Sequence, residues 1–317
     1  MKVTDHLKKR KHTLFSFEIL PPLKGKGIDA IFEGIDPLME FNPPFINVTY
    51  HREEYMYKKQ ADNLLKKVSI RKRPGTVGIC AAIINRYHVD AVPHLICGGF
   101  TRDETENALI DLQFLGIDNV LALRGDPIKT ERSFVPEKNG HQYAVELIEQ
   151  IVRMNKGIYL HEEIENKEHA QFCIGAAGYP EKHYESMNMK TDLKHLKTKV
   201  DAGAEYVTTQ MFFDNKKYFI FLEHCKAAGI NVPIIPGLKP ITKLRHIAFL
   251  PKTFFIDLPD DLADGLMACK TDAEVEKVGV EWTIRQSQEL VEAGAPCIHY
   301  YTMGKSDAVK QIAKEAF

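Results

Sequence analysis

Residues 101–127 read TRDETENALIDLQFLGIDNVLALRGDP, and this stretch sets how the whole chain is built. Thr101-Arg102-Asp103-Glu104 has the capping-box pattern of a helix start, and Ala108, Leu109, Leu112 and Leu115 follow at helical spacing. Gly116 ends that segment. A glycine just past a helix adopts the left-handed conformation without a Cβ penalty, and the apolar run behind it reads as a buried strand. The same passage recurs in DAGAEYVTTQ (Gly203), AAGINVPIIP (Gly229) and EAGAPCIHYY (Gly294).

Other apolar runs bring the strands to eight, near 13–19, 45–50, 89–96, 118–123, 171–178, 205–211, 232–237 and 296–301. Helical patterns separate almost all of them. Alternating β and α with fully apolar strands means an α/β fold with a parallel sheet covered by helices. Eight repeats without a linker favour a closed (β/α)8 barrel, the TIM-barrel architecture, as a single domain over residues 1–317. An open doubly wound sheet is the structural alternative. Residues 154–170 read as a polar insertion before the fifth strand.

The chain has 44% hydrophobic and 27% charged residues, and 42 Lys and Arg nearly cancel 43 Asp and Glu. A wholly disordered chain is excluded, and so is nucleic-acid binding by bulk charge. The six cysteines form no C-x-x-C pair, which suits a reduced, cytoplasmic setting. The basic start MKVTDHLKKRKH lacks the apolar region of a signal peptide, and no apolar run approaches the roughly 20 residues of a membrane span.

Polar residues cluster at the strand ends, and a barrel gathers those ends on one rim. Glu18 sits in FSFEILPP with apolar residues on both sides. A carboxyl in such a strand loses hydration, which disfavours its charged form, as a general acid requires. Arg124-Gly125-Asp126 follows the fourth strand as a tight loop, suited to a planar ligand or to a plain salt-bridged turn. Asp192, His195 and Lys199 share a helical stripe beside the apolar Leu193, Leu196 and Val200. Such a stripe suits phosphates and ribose hydroxyls, or a solvated flank. There is no G-x-G-x-x-G after a strand, no G-x-S-x-G and no H-E-x-x-H. His94-x-x-Cys97 with His51 and His88 is too loose for zinc, so no metal is expected.

Taken together, FSFEILPP, INVTYH, PHLIC, NVLALRGDP, AAGYPEKH, DLKHLKTKVDAGAEYVTTQMFFD, IIPGLKPIT and IHYYTMGKS resemble the methylenetetrahydrofolate reductase family, in order and over essentially the whole chain. The resemblance implies a FAD-binding (β/α)8 barrel in the bacterial, catalytic-domain form. It further implies a homo-oligomer with no membrane or nucleic-acid partner, acting in one-carbon metabolism and methionine synthesis. The implied reaction is ping-pong: NADH or NADPH reduces FAD, and 5,10-methylenetetrahydrofolate then takes the hydride and becomes 5-methyltetrahydrofolate.

By motif position, Glu18 matches the general acid, and Asp126 the acidic residue near flavin and pterin. Gln210 matches a residue shared by folate and nicotinamide, and Thr49 a nicotinamide contact. The positions matching FAD contacts are Tyr50, Arg52, His94, Arg124, Gly125, Tyr143, Ala144, Tyr179, His183, Ser186, Asp192, His195, Thr198 and Lys199. Three features depart from the pattern. Lys305 in YTMGK stands where many relatives have the arginine of YTLNR, which would meet the folate glutamate; a point charge lacks that bidentate fork. Thr198 occupies a place that is basic in some relatives. His51 and Arg52 replace small residues. Two other readings of the chain are a flavin-free barrel lyase or aldolase using Glu18 and a rim lysine, and a non-enzymatic folate-binding module. Flavin colour separates both from the reductase.

Overall fold

The computed structural model describes residues 1–128, 131–162 and 169–317. The strands are β1 (Leu14–Ile19), β2 (Phe45–Val48), β3 (Glu54–Lys59), β4 (Leu65–Ile70), β5 (Asp90–Ile96), β6 (Asn119–Leu123), β7 (Cys173–Gly178), β8 (Tyr206–Met211), β9 (Ile234–Leu238) and β10 (Cys297–Tyr301). The helices are α1 (Val3–Lys9), α2 (Asp29–Ile35), α3 (Thr76–Tyr87), α4 (Arg102–Phe114), α5 (Ala144–Asn155), α6 (Met189–Asp201), α7 (Asn215–Ala227), α8 (Leu244–Phe254), α9 (Asp260–Met267), α10 (Asp272–Glu292) and α11 (Asp307–Ala316).

Eight strands pair in parallel and close in the order β1-β10-β9-β8-β7-β6-β5-β2. This is the expected (β/α)8 barrel, and the eight strands fall where the apolar runs put them. The glycine passages behave as read. Gly116, Gly203, Gly229 and Gly294 all have positive φ, at 69, 126, 74 and 76°, and Thr101 closes a full capping box with Glu104. One detail differs. Leu115, read into the buried stripe of α4, is 41% exposed at the C-cap, while Leu109 and Leu112 are fully buried. A residue at the C-cap has already turned off the helical face.

The antiparallel hairpin β3–β4 was not foreseen. Its residues are mostly exposed, so it carries no apolar face for a sequence pattern to report. The proposed insertion over 154–170 begins two residues inside α5, and residues 163–168 lie outside the described part of the chain.

Alternation along each strand sorts its side chains into those facing the barrel axis and those facing the helices. Phe45, Val92, Leu121, Cys173, Tyr206, Ile235 and Cys297 form an inner cluster, and Val3 and Leu7 of α1 pack onto it. The Val3 N–H also donates to Asn119 Oδ1 at 2.8 Å. α1 thus covers the N-terminal mouth with apolar side chains. The opposite mouth, where the strands end, remains open to a ligand.

Candidate functional site

A cleft of about 1100 Å³ opens at this C-terminal rim. Every site residue expected from the sequence lines it except Lys305, which stands exposed in the turn after β10, two residues past the lining residue Met303. The volume is above the roughly 300–1,000 Å³ of a pocket for one drug-sized molecule.

Glu18 lies at the inner end of the cleft, 7% exposed. Its strand, β1, pairs with β2 and β10, so inside the barrel the carboxylate lies beside His299 of the adjacent β10 and His94 of β5, next to β2. Each imidazole Nε2 is 3.9 Å from Glu18 Oε2, too far for a direct hydrogen bond. Burial pushes His94 down to about 4. It is therefore neutral near pH 7, and its Nε2 accepts from Asn47 Nδ2 at 3.3 Å. His299 Nδ1 lies 3.0 Å from Ser16 Oγ, while its buried Nε2 has no hydrogen-bond partner. Thr302 Oγ1 donates to the Glu18 backbone carbonyl at 2.7 Å and ties the two strand ends together.

At the lip, Gly125 takes a φ of 83°, and backbone N–H groups of Cys97 and Gly98 donate to the Arg124 carbonyl. Arg124 pairs with Glu185 at 2.5 Å and lies over the Phe134 ring. The loop is therefore not an Arg124–Asp126 salt-bridged turn. Among the described residues no ion pair engages Asp126, which stays exposed at the lip.

The α6 stripe faces the cleft as read, with Asp192, His195 and Lys199 all in its lining. Asp192 is buried, accepting from Ser186 Oγ at 2.8 Å and from the His183 N–H at 3.1 Å, which folds the loop after β7 onto the helix start. Lys199 Nζ donates to the Ala177 carbonyl at 2.6 Å. Burial pushes its ammonium down to about 8, with Asp192 working in the opposite direction. The Arg52 side chain is 6% exposed and held by Glu131 at 3.1 Å and Glu137 at 3.6 Å, and its Nε is left unpaired.

Sequence reasoning passed over other residues in and beside the site. His299 lay inside the quoted IHYY string without a role, although a histidine in an apolar strand carries the same signal as Glu18. Lys239 follows β9 at the same parity as Ile235. The hairpin and its flanks bring Glu54, Lys72 and Arg73 to the rim; no strand-end rule could have found them. Among the described residues no helix is long and apolar enough to cross a membrane.

Comparison with known proteins agrees with this architecture. The family model for methylenetetrahydrofolate reductase matches residues 2–316. The chain is 31% identical to methylenetetrahydrofolate reductase 1 of Schizosaccharomyces pombe, over 98% of its own length and 48% of the relative's. It is 30% identical to 5,10-methylenetetrahydrofolate reductase of Escherichia coli, over 92% of its own length and 86% of the relative's. The chain thus spans about half the length of the yeast, worm and plant relatives it matches. Among solved structures, an uncharacterized protein from Clostridium thermocellum that binds two copies of 5-methyl-5,6,7,8-tetrahydrofolic acid superposes with a TM-score of 0.56. The match covers 99% of this chain and 98% of that one at 14% identity, a likeness of fold alone.

Proposed function

Because the chain belongs to the methylenetetrahydrofolate reductase family, we propose that it reduces 5,10-methylenetetrahydrofolate to 5-methyltetrahydrofolate with electrons from NADH or NADPH. FAD is the cofactor in this reading, and the barrel is the catalytic unit. One observation carries it: eighteen of the nineteen residues matched by motif line a single cleft around a buried carboxylate.

The residues present fit FAD. The cleft exceeds what one small substrate needs, and the half-buried ammonium of Lys199 and the unpaired Nε of Arg52 are donors suited to a diphosphate. Asp192, with Ser186 and His183 braced against it, suits a ribose. When bound, FAD supplies hydride transfer at its N5, from nicotinamide first and to folate second.

The chain's own residues do the rest. Glu18 donates its proton to N10 of the folate, which breaks the five-membered ring and leaves a 5-iminium cation ready for hydride. His94, held neutral, keeps the second positive charge out of that space. Asp126 at the lip favours the developing cation, Gln210 orients folate and nicotinamide in turn, and Thr49 meets the nicotinamide. Lys305, outside the cleft lining, is assigned to the glutamate tail of a longer substrate.

The basic test is colour and turnover. The purified protein should be yellow, bleach anaerobically with NADH or NADPH, and recover its colour on adding methylenetetrahydrofolate. A colourless protein that retains no added flavin would favour a lyase or a folate-binding module.

Two further results are expected. Asp126→Asn should raise the flavin potential and lower folate turnover, by roughly tenfold for each unit of lost charge stabilisation. Redox titration and steady-state assays check this, and unchanged values in both would make the lip loop structural. The second concerns pH. Below about 8 Lys199 already carries its proton; above it the free site holds a neutral amine, and binding a diphosphate must take a proton up. FAD affinity should therefore fall as pH rises through that value, by up to about tenfold per pH unit. Equilibrium dialysis at neutral and alkaline pH measures it, and Lys199→Ala should flatten the dependence. A flat wild-type profile would remove Lys199 from the diphosphate site.

A further inference from the structure

Lys239 follows β9 directly in Pro236-Gly237-Leu238-Lys239-Pro240 and is only 5% exposed. Lysines are seldom buried this deeply, because an ammonium leaves water at high cost unless something compensates it. The alternation of β9 shows which way Lys239 faces. Ile235 belongs to the inner cluster, and a Cβ at Gly237 would strike the Tyr301 ring, so that parity faces the barrel axis. Lys239 takes the next inward position, at the rim. The ladders pair Leu238 with Tyr300 and Glu18 with Tyr301. Lys239 and Glu18 therefore flank Tyr301 in one layer.

Few other groups act on this pair. His94, His299 and Tyr301 face Glu18 from β5 and β10, and His51 approaches from the loop after β2. His246 of α8 faces Lys239. Burial holds His94 and His246 down at about 4 and raises Tyr301, so all three are uncharged near pH 7. Lys239 itself is pushed down by burial to about 8, and Glu18 is the acidic group that works against this among the described residues. Lys239 lies outside the cleft lining, in the layer of Glu18 rather than in direct reach of the substrate space.

We propose that Lys239 is a positioning residue of the folate half-reaction, its ammonium stabilising the Glu18 carboxylate that remains after Glu18 has protonated N10. The proposal rests on the reaction assigned above. It gives the Glu18 carboxylate a counter-charge at the moment of proton release.

Electrostatic coupling is reciprocal, so it can be read on Lys239 without turnover. In protein carrying carbon-13 at the lysine Cε, the Lys239 resonance is assigned by its loss in Lys239→Met, or in Lys239→Gln should the first variant not fold. It should titrate near about 8 in the wild type. In Glu18→Gln it should titrate lower by about half a unit or more, because the carboxylate that opposes desolvation is gone. The same midpoint in both proteins overturns the proposal. In stopped flow, Lys239→Met should slow reoxidation of the reduced flavin by methylenetetrahydrofolate by about tenfold, the equivalent of one unit of charge interaction. Reduction by NADH should be unchanged, and Lys239→Arg should recover part of the loss. Equal slowing of both half-reactions means a packing role and overturns the proposal. A wild type whose reduced flavin ignores the folate refutes the assigned reaction instead, and the lysine titration still decides the coupling.

Discussion

Glu18→Gln should leave flavin bound and reducible by the nicotinamide, yet slow its reoxidation by methylenetetrahydrofolate by roughly two to four orders of magnitude or more. The amide has the shape of the carboxyl, so the buried slot between His94 and His299 stays filled, and the Thr302 bond to the residue 18 carbonyl is a backbone contact that survives. What disappears is an acidic proton. His94 cannot replace it, because burial holds that imidazole near about 4 and its Nε2 serves as an acceptor from Asn47. Without protonation at N10 the ring does not open and hydride has no iminium to enter. Stopped-flow traces of the two half-reactions separate the effects. If both slow equally, Glu18 serves packing or flavin binding and the assignment of the acid fails.

Lys199→Ala should weaken FAD binding by about 10- to 150-fold, the value of a charge-assisted hydrogen bond of about 1.5–3 kcal/mol. The ammonium is aimed into the cleft while anchored on the Ala177 carbonyl at the end of β7. Folding should suffer little, because the folded state holds that charge against a desolvation cost. Lys194 and Lys197 on the same helix are the charge-matched controls. Lys194 is exposed, and Lys197 is engaged by Asp201 four residues on. Flavin loss on dilution, followed by fluorescence, distinguishes the outcomes. Equal loss in all three variants means a general field, and no loss in Lys199→Ala means the stripe is a flank.

Much of this molecule is legible along the chain, for a local reason. The glycine at the end of each helix and the apolar run behind it are set by backbone sterics and burial within about ten residues. Reading those passages together with the other apolar runs therefore yields the eight barrel strands and favours a closed barrel over an open sheet; closure itself is seen in the structure. Glu18 is legible by the same logic, since a lone carboxyl inside an apolar strand contradicts its surroundings wherever the strand is placed.

What a side chain meets across the barrel is another matter. Arg124 and Asp126 stand two residues apart and invite a salt bridge, yet Arg124 pairs with Glu185, which is sixty-one residues away. His299 and Lys239 look like incidental residues of the last strands until ring closure sets β10 beside β1 and carries both toward Glu18. Lys305 looks equivalent to a ligand-binding arginine in the string YTMGK, but the turn after β10 leaves it in solvent. Sequence alone determined the eight barrel strands and the rim on which chemistry is possible, because those follow from interactions between near neighbours, whereas the exposed β3–β4 hairpin left no such pattern. Only the closed barrel decided which charges share a layer, because that depends on register and on contacts hundreds of residues apart, where a change of one residue would turn every inward group outward.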